Sequence, residues 1–361
     1  MTMFNKTLLG SAVLAAMMAT SANAAIPLAG DAVQMYGQAA GFMQFANDDK
    51  GDSKVSAVIE SRIGFRGTVE FEDFGPNFIW QVESGDTNGT DYGALGMRDT
   101  FIGLDFDGVG SFKFGRQLVA AYNYVDWPHT NPGLGNVFDW NNDLGVSYQD
   151  RANNNIRFDS ATFGGFNFQA TLSGMEDSTD AMVASVAGSY SQDLFSIHAG
   201  YYARGENLTT SDATTEWKKT TAKPGGEWVT TAGKTSGYAN SYAIVGGSVF
   251  LGDVTLTAAY KMMETDTKDG SNGQDAVSAT AQYVLNNQWV FKGGYSMTTE
   301  ADDDITKSGT LVKAEDTGDT AITARLGYLL PSTYLYIDSR NYKMDNKDWA
   351  NNILVGAEYY F

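Results

Sequence analysis

The chain has no cysteine and only two histidines, His129 and His198, in 361 residues. Without thiols there is no disulfide framework and no thiol nucleophile. Two isolated histidines cannot build the usual His-rich zinc site. Acidic runs occur at Asp48-Asp49-Asp52, Glu264-Asp266-Asp269 and Asp302-Asp303-Asp304, but none has the spacing of an EF-hand loop. Solvated loop charge is the plain reading of these runs, and bridging to lipid phosphates through divalent cations is the sharper one. Beyond a short N-terminal run, no stretch approaches the eighteen apolar residues of a membrane helix. Basic residues are scarce: 24 Lys and Arg stand against 43 Asp and Glu, for a net charge of -19. Such a surface argues against nucleic acid as a partner. The mean hydropathy of -0.27 suggests a polar, soluble protein.

What the chain does have overturns that impression. It carries 20 Phe, 19 Tyr and 40 Gly, and its apolar residues alternate with polar ones. At the C-terminus, Ile353, Val355, Ala357, Tyr359 and Phe361 share one face, while Leu354, Gly356, Glu358 and Tyr360 share the other. Within 55–71, Ile59, Ile63, Phe65, Val69 and Phe71 oppose Glu60, Arg62, Arg66 and Glu70. Val254, Leu256 and Tyr260 oppose Thr255, Thr257 and Lys261. Trp289, Phe291 and Tyr295 oppose Lys292 and Ser296. Ile322, Leu326 and Tyr328 oppose Thr323 and Arg325. A charge facing lipid near the bilayer midplane costs about 2–4 kcal/mol, so the charged faces must line water.

Sixteen such segments are expected, at 33–45, 55–71, 77–84, 97–106, 110–117, 153–159, 164–173, 181–191, 194–203, 239–250, 253–263, 275–285, 288–298, 319–329, 332–343 and 351–361. Short connections alternate with long ones. The short ones fall at 72–76, 107–109, 160–163, 192–193, 251–252, 286–287 and 330–331. The long ones fall at 46–54, 85–96, 118–152, 204–238, 264–274, 299–318 and 344–350. The pattern predicts an all-β, antiparallel transmembrane barrel with short turns on one side and long loops on the other. An even strand number puts both termini on the short-turn side.

Residues 1–24 are expected to be a secretory signal. Lys6 supplies the positive start, Leu8 to Met18 the short apolar core, and Ala22-Asn23-Ala24 the cleavage site, leaving 25–361 as the barrel.

The stretches VQMYGQAAGFMQF (33–45), ESRIGFRGTVEF (60–71) and DTFIGLDFDGVGSFKFGRQ (99–117) resemble the first, second, and fourth and fifth strands of the trimeric Gram-negative general porins. The resemblance covers nearly all of the chain after the signal, and the terminal Phe361 resembles that family's assembly signal. It implies a sixteen-stranded barrel, a homotrimer in the bacterial outer membrane among lipopolysaccharide, no cofactor, and a third loop (118–152) folded into the lumen. It also implies a ladder of arginines facing acids on that loop. Arg62, Arg98 and Arg151 occupy ladder positions, and Asp126, Asp139 and Asp143 are the candidate loop acids. Arg116 resembles an arginine that latches a neighbouring subunit, through Asp86 or Asp91.

The family's usual Pro-Glu-Phe-Gly-Gly loop motif is missing. AAYNYVDWPHTNPGLGNVFDWNND (120–143) stands in its place and resembles the sugar-specific chitoporins. Sugar rings present C–H faces that pack on aromatic rings, while charged groups bind their hydroxyls. Trp127, Trp140, Tyr122 and Phe138 are the candidate sugar contacts; packing of the loop against the barrel wall is their plainer role. Trp217 and Trp228 suit loop ordering at the vestibule. His129 reads as a hydrogen-bonded loop residue and His198 as a lumen donor. Arg66, Arg157, Lys261, Lys292, Arg325 and Arg340 are further lumen charges. These features predict a diffusion channel for small hydrophilic solutes, selective for chito-oligosaccharides. The alternative is a cation-preferring general channel with no sugar site. A barrel enzyme would need a nucleophile and histidine together at the rim, and no such motif stands near either histidine.

Overall fold

The structure, a computed structural model, describes residues 25–86, 94–126, 144, 148–175, 179–206, 209–210, 214–218, 227–231, 235–267, 270–307 and 310–361. The signal expected at 1–24 lies outside the described residues.

Eighteen strands pair in one sheet. Two of them, Ser53–Ile59 and Arg62–Phe71, are halves of one strand that both pair with the first barrel strand. A third, Ile26–Ala29, is a short addition to the start of that first strand. Sixteen strands therefore close the barrel. We number them β1 (Val33–Asn47), β2 (Ser53–Ile59 with Arg62–Phe71), β3 (Phe74–Ser84), β4 (Leu95–Phe106), β5 (Gly110–Leu118), β6 (Arg151–Ser160), β7 (Phe166–Ser173) and β8 (Val183–Ser191). The rest are β9 (Phe195–Arg204), β10 (Asn240–Leu251), β11 (Val254–Thr267), β12 (Gly270–Leu285), β13 (Trp289–Thr298), β14 (Thr320–Leu330), β15 (Thr333–Lys343) and β16 (Ala350–Tyr360). Every neighbouring pair is antiparallel, and β16 pairs with β1 from Gln38↔Tyr360 to Asn47↔Asn351. Closure leaves no strand edge in lipid, where an unpaired N–H or C=O costs several kcal/mol.

The expected parity holds around the barrel. Ile63, Ile102, Phe112, Ile197, Val245 and Leu326 are exposed on the outside, while Lys261, Ser296, Thr323, Arg325 and Asp338 are buried on the inside. Aromatic side chains gather at the short-turn end. Phe112 packs on Phe158 with ring centroids 4.6 Å apart, and Trp289 packs edge-on to Tyr328 at 4.7 Å. Phe71–Phe74, Tyr190–Phe195 and Tyr359–Phe361 continue the belt. Amphipathic rings of this kind favour the interface between acyl chains and headgroups.

Four details depart from the sequence expectation. The second strand breaks at residues 60–61, where Ser61 Oγ takes the Ala40 N–H in place of a ladder bond. The third strand starts at Phe74, so its turn is residues 72–73 alone. The connection expected at 264–274 is instead a long hairpin, since the β11–β12 ladder runs out to Thr267↔Gly270. Finally, β7 ends at Ser173 and β8 starts at Val183, with a short turn at Thr179–Ala181 just before it, a connection missing from the expected short and long sets. Alternating Thr, Asp and Gly looks like loop, yet a hairpin with both strands extended satisfies its own backbone groups.

Candidate functional site

The chain leaves β5 at Leu118 and turns into the lumen. Val119, Ala120, Ala121 and Val125 have no exposed surface. They pack with Val183 and Ala187 of β8, Tyr202 of β9, Tyr242 and Ile244 of β10, and Met263 of β11. Polar wall residues take the arm's amides. Thr171 Oγ1 accepts the Ala120 N–H at 3.1 Å, and Ser185 Oγ accepts that of Ala121 at 2.8 Å. The arm lies so close to β9 that a Cβ on Gly200 would stand 3.0 Å from Ala121. Residues Tyr122–Asp126 then form one π-helical turn.

The loop's return strand is clamped as well. Tyr148 packs edge-on to Tyr202 and Tyr242, which stack on each other at 5.1 Å. The Lys261 ammonium lies 4.7 Å from the Tyr242 ring centre and 5.6 Å from that of Tyr148. Tyr202 Oη accepts the Gln149 N–H at 3.0 Å. Both ends of the third loop are thus fastened to the wall made by β7–β11. Tyr124 stands edge-on to His198 at 6.4 Å, and burial pushes its phenol up to about 12.

Charges occupy other walls. Arg62 Nε lies 3.2 Å from Asp86 Oδ1, and neither atom makes a hydrogen bond, so the contact is Coulombic. Arg98 donates to Glu83 at 2.6 Å, and Glu83 also accepts the Tyr36 hydroxyl at 2.8 Å. The Arg66 guanidinium sits 5.0 Å over the Tyr36 ring. Arg151 donates to Asp99 at 2.8 Å. Further round, Arg157 and Lys113 both hold Asp159, at 2.8 and 2.6 Å.

A third cluster centres on Asp338, which is fully buried. Arg325 grips both of its oxygens at 2.6 Å, and Arg340 adds a contact at 2.8 Å. Such a two-pronged pair is stronger and more directional than a single ammonium contact. The Arg325 guanidinium also lies 4.4 Å over the Tyr336 ring, and Lys292 stands opposite Arg325 in the ladder.

Of the residues singled out by sequence, Arg62, Arg98 and Arg151 each meet a wall acid. Arg116 and Asp86 are not brought together. Arg116 donates to the Met97 carbonyl at 2.7 Å and to Asn153 at 2.8 Å, while Asp86 faces Arg62. Tyr122 is half-buried against the arm's apolar cluster. Asp126 ends the π-helical turn. Asp91, Trp127, His129, Phe138, Asp139, Trp140 and Asp143 lie outside the described residues. Trp217 and Trp228 sit opposite each other in a short loop ladder, Thr214–Lys218 with Glu227–Thr231. Sequence reasoning passed over Tyr36, Glu83, Asp99 and Asp338 as partners and Tyr148 as the clamp. Inward parity could have flagged Asp338, which alternates with Leu335 and Ile337. Nothing in the sequence could have flagged Tyr148, which lies in a loop.

A closed sixteen-stranded barrel, apolar outside and charged inside, with a loop tied to its inner wall, is a diffusion channel of the bacterial outer membrane. Residues 10–348 match the Gram-negative porin family, and the chain belongs to that family. It is 31% identical to a chitoporin of Vibrio furnissii across 99% of both chains. Among solved structures, an anion-selective porin from Comamonas acidovorans superposes with a TM-score of 0.69 at 18% identity, covering 91% of this chain and 99% of that one. The trimer form of OmpT from Vibrio cholerae superposes at 0.64 with 19% identity, covering 91% and 99%.

Proposed function

We propose that the channel passes chito-oligosaccharides and holds them at a constriction formed by its third loop. The observation that carries this reading is the arm at 119–125. It is buried against the inner wall and leads directly into the aromatic stretch 127–143. The full-length likeness to a chitoporin supports the same reading. In it, Trp127, Trp140 and Phe138 stack on pyranose faces, with Tyr122 serving at their base. Asp126, Asp139 and Asp143 accept sugar hydroxyls, while Arg62, Arg98 and Arg151 supply the opposite sign across the passage.

Three copies assemble in this reading. Arg116 and its half-exposed partners Met97 and Asn153 lie on the outer surface, where Asp86 or Asp91 of a neighbour could complete the contact. Residues 1–24 direct export and are removed. Acidic outer loops meet lipopolysaccharide. The residues assigned to the lumen bind and orient; none is assigned a catalytic role.

Planar-bilayer recording with chitohexaose tests the proposal. Three equal conductance steps and long sugar-dependent blockades are the expected result. Trp140→Ala should shorten each blockade about tenfold, the loss of a ring stack in a confined site. Current undisturbed by high sugar would leave a general, cation-preferring channel in its place.

A further inference from the structure

β13 and β14 are already paired at Met297↔Thr320, so a tight turn would suffice to join them. The chain instead makes a long connection, described over 299–307 and 310–319, and fastens it with buried groups. Asn272 and Gln274 lie on the buried face of β12. Gln274 Nε2 donates to the Thr299 carbonyl at 3.0 Å and to the Thr317 carbonyl at 3.3 Å. The Asn272 amide donates to the Asp303 carbonyl and accepts the Asp303 N–H, each at 3.0 Å. Thr317, which has no exposed surface, accepts the Ala301 N–H at 2.7 Å and donates to the Ala314 carbonyl at 2.6 Å. These side chains satisfy backbone groups that lie outside the barrel strands.

The two sides of the connection differ. One side is charged: Lys313 donates to Asp304 at 2.6 Å, and Asn346 of the last outer connection donates to Asp316 at 2.9 Å. The other side is apolar. Ala301 and Ile305 are buried in the cluster that also holds Val119, Ala120, Ala121 and Val125 of the third-loop arm and Leu144 and Tyr148 of its return. Val312, the register partner of Ile305, packs against the same cluster. From the wall, the cluster takes Ala276 of β12 and Met263 of β11, the register partner of Gln274. Two outer connections far apart in sequence therefore share one small core. Members of such a unit open together, so loosening one lowers the cost of opening the other.

We infer that the β13–β14 connection is a strut for the third loop, with Ile305 and Gln274 as positioning residues of the constriction. The arm's own contacts lie on β7–β11; the strut adds support from β12. The inference does not rest on the sugar reading and applies to whatever solute the channel passes.

The absence of cysteine allows a direct test. Val125→Cys puts a single thiol in the arm at a position with no exposed surface, and cysteine is small and apolar enough to stay there. Labelling of folded protein in detergent by a water-soluble maleimide then reads opening of the arm. Adding Ile305→Ser should speed labelling about tenfold. Adding Gln274→Leu, which releases the Thr299 and Thr317 carbonyls and keeps the strand's bulk, should speed it about threefold. The heat-induced shift between folded and unfolded gel bands should stay in place, because the barrel ladder is untouched. Open-channel current noise in planar bilayers should rise with the labelling rate. Should Ile305→Ser fail to fold, Gln274→Leu decides alone. Unchanged labelling in a folded variant would overturn the strut. Faster labelling with earlier unfolding of the barrel would overturn it too, because the arm would then open with the whole fold. Failure of both variants to fold would make the connection part of the barrel's own stability and would equally sink the inference. Quiet current despite faster labelling would overturn the role in permeation.

Discussion

The inner walls of this barrel do two jobs with different chemistry. The wall of β7–β11 faces the third loop and buries apolar, hydroxyl and aromatic groups against it: Val183, Ser185, Tyr202, Tyr242 and Ile244. The walls of β1–β4 and β14–β15 carry charge, and nearly every arginine there has an acid at hand. The first wall anchors a segment in one position; the second sets up a field. A single β-sheet serves both because inward side chains alternate with lipid-facing ones. The inner surface can then change from strand to strand without touching the outside.

The contrast can be broken most severely at Asp338. Arg325→Met should destabilise the barrel by about 4 kcal/mol, because a fully buried carboxylate loses its two-pronged partner. The heat-induced shift between folded and unfolded bands on a gel would report it. The double variant Arg325→Met with Asp338→Leu should recover most of the loss. A melting point unmoved by the single change would mean that the cluster is only a solvated lumen charge.

A smaller effect is expected on the loop wall. Tyr242→Ala removes the ring shared by Tyr202, Tyr148 and Lys261, worth about 3 kcal/mol of local packing. The barrel should still fold. The open-channel current should become noisier and larger as the third loop loosens. Quiet current at the original level would show that the clamp at 119–125 suffices alone.

The smallest change is expected at the ladder. Arg98→Gln leaves Glu83 with the Tyr36 hydroxyl alone and should shift permeability toward cations. The pair is partly open to water, so the effect should be about 1 kcal/mol or less, up to about fivefold in the cation-to-anion ratio. The reversal potential across a salt gradient measures it. A shift toward anions would contradict the wall-charge account.

The strands were legible because a barrel in lipid enforces a strict period of two. Parity alone put Lys261, Lys292 and Arg325 inside, where the structure buries them. The hairpin at Thr267↔Gly270 was hidden because Glu264 and Asp266 put charge at the exposed positions that Leu256, Tyr260 and Met262 fill lower in the same strand, so the apolar alternation stops before the ladder does. At the site, Arg62, Arg98 and Arg151 could be named from their positions. Their partners Asp86, Glu83 and Asp99 could not, since register across strands and the irregular pairing between Val82 and Ser84 decide which carboxylate comes within reach. Tyr148 escaped for a related reason. A loop residue has no parity, and its stacking depends on where the loop lands.

The joint between β1 and β16 has a kinetic meaning. Gly37 and Phe361 exchange both of their backbone hydrogen bonds, at 2.8 and 3.1 Å, and Gln44 reaches Asn352 across 308 residues of chain. No local contact prepares this seam, so searching for it is slow, and until it forms two bare strand edges face the bilayer. An assembly factor that shields those edges, or holds the last strand ready for the first, would therefore act on the step that most limits how fast this protein matures.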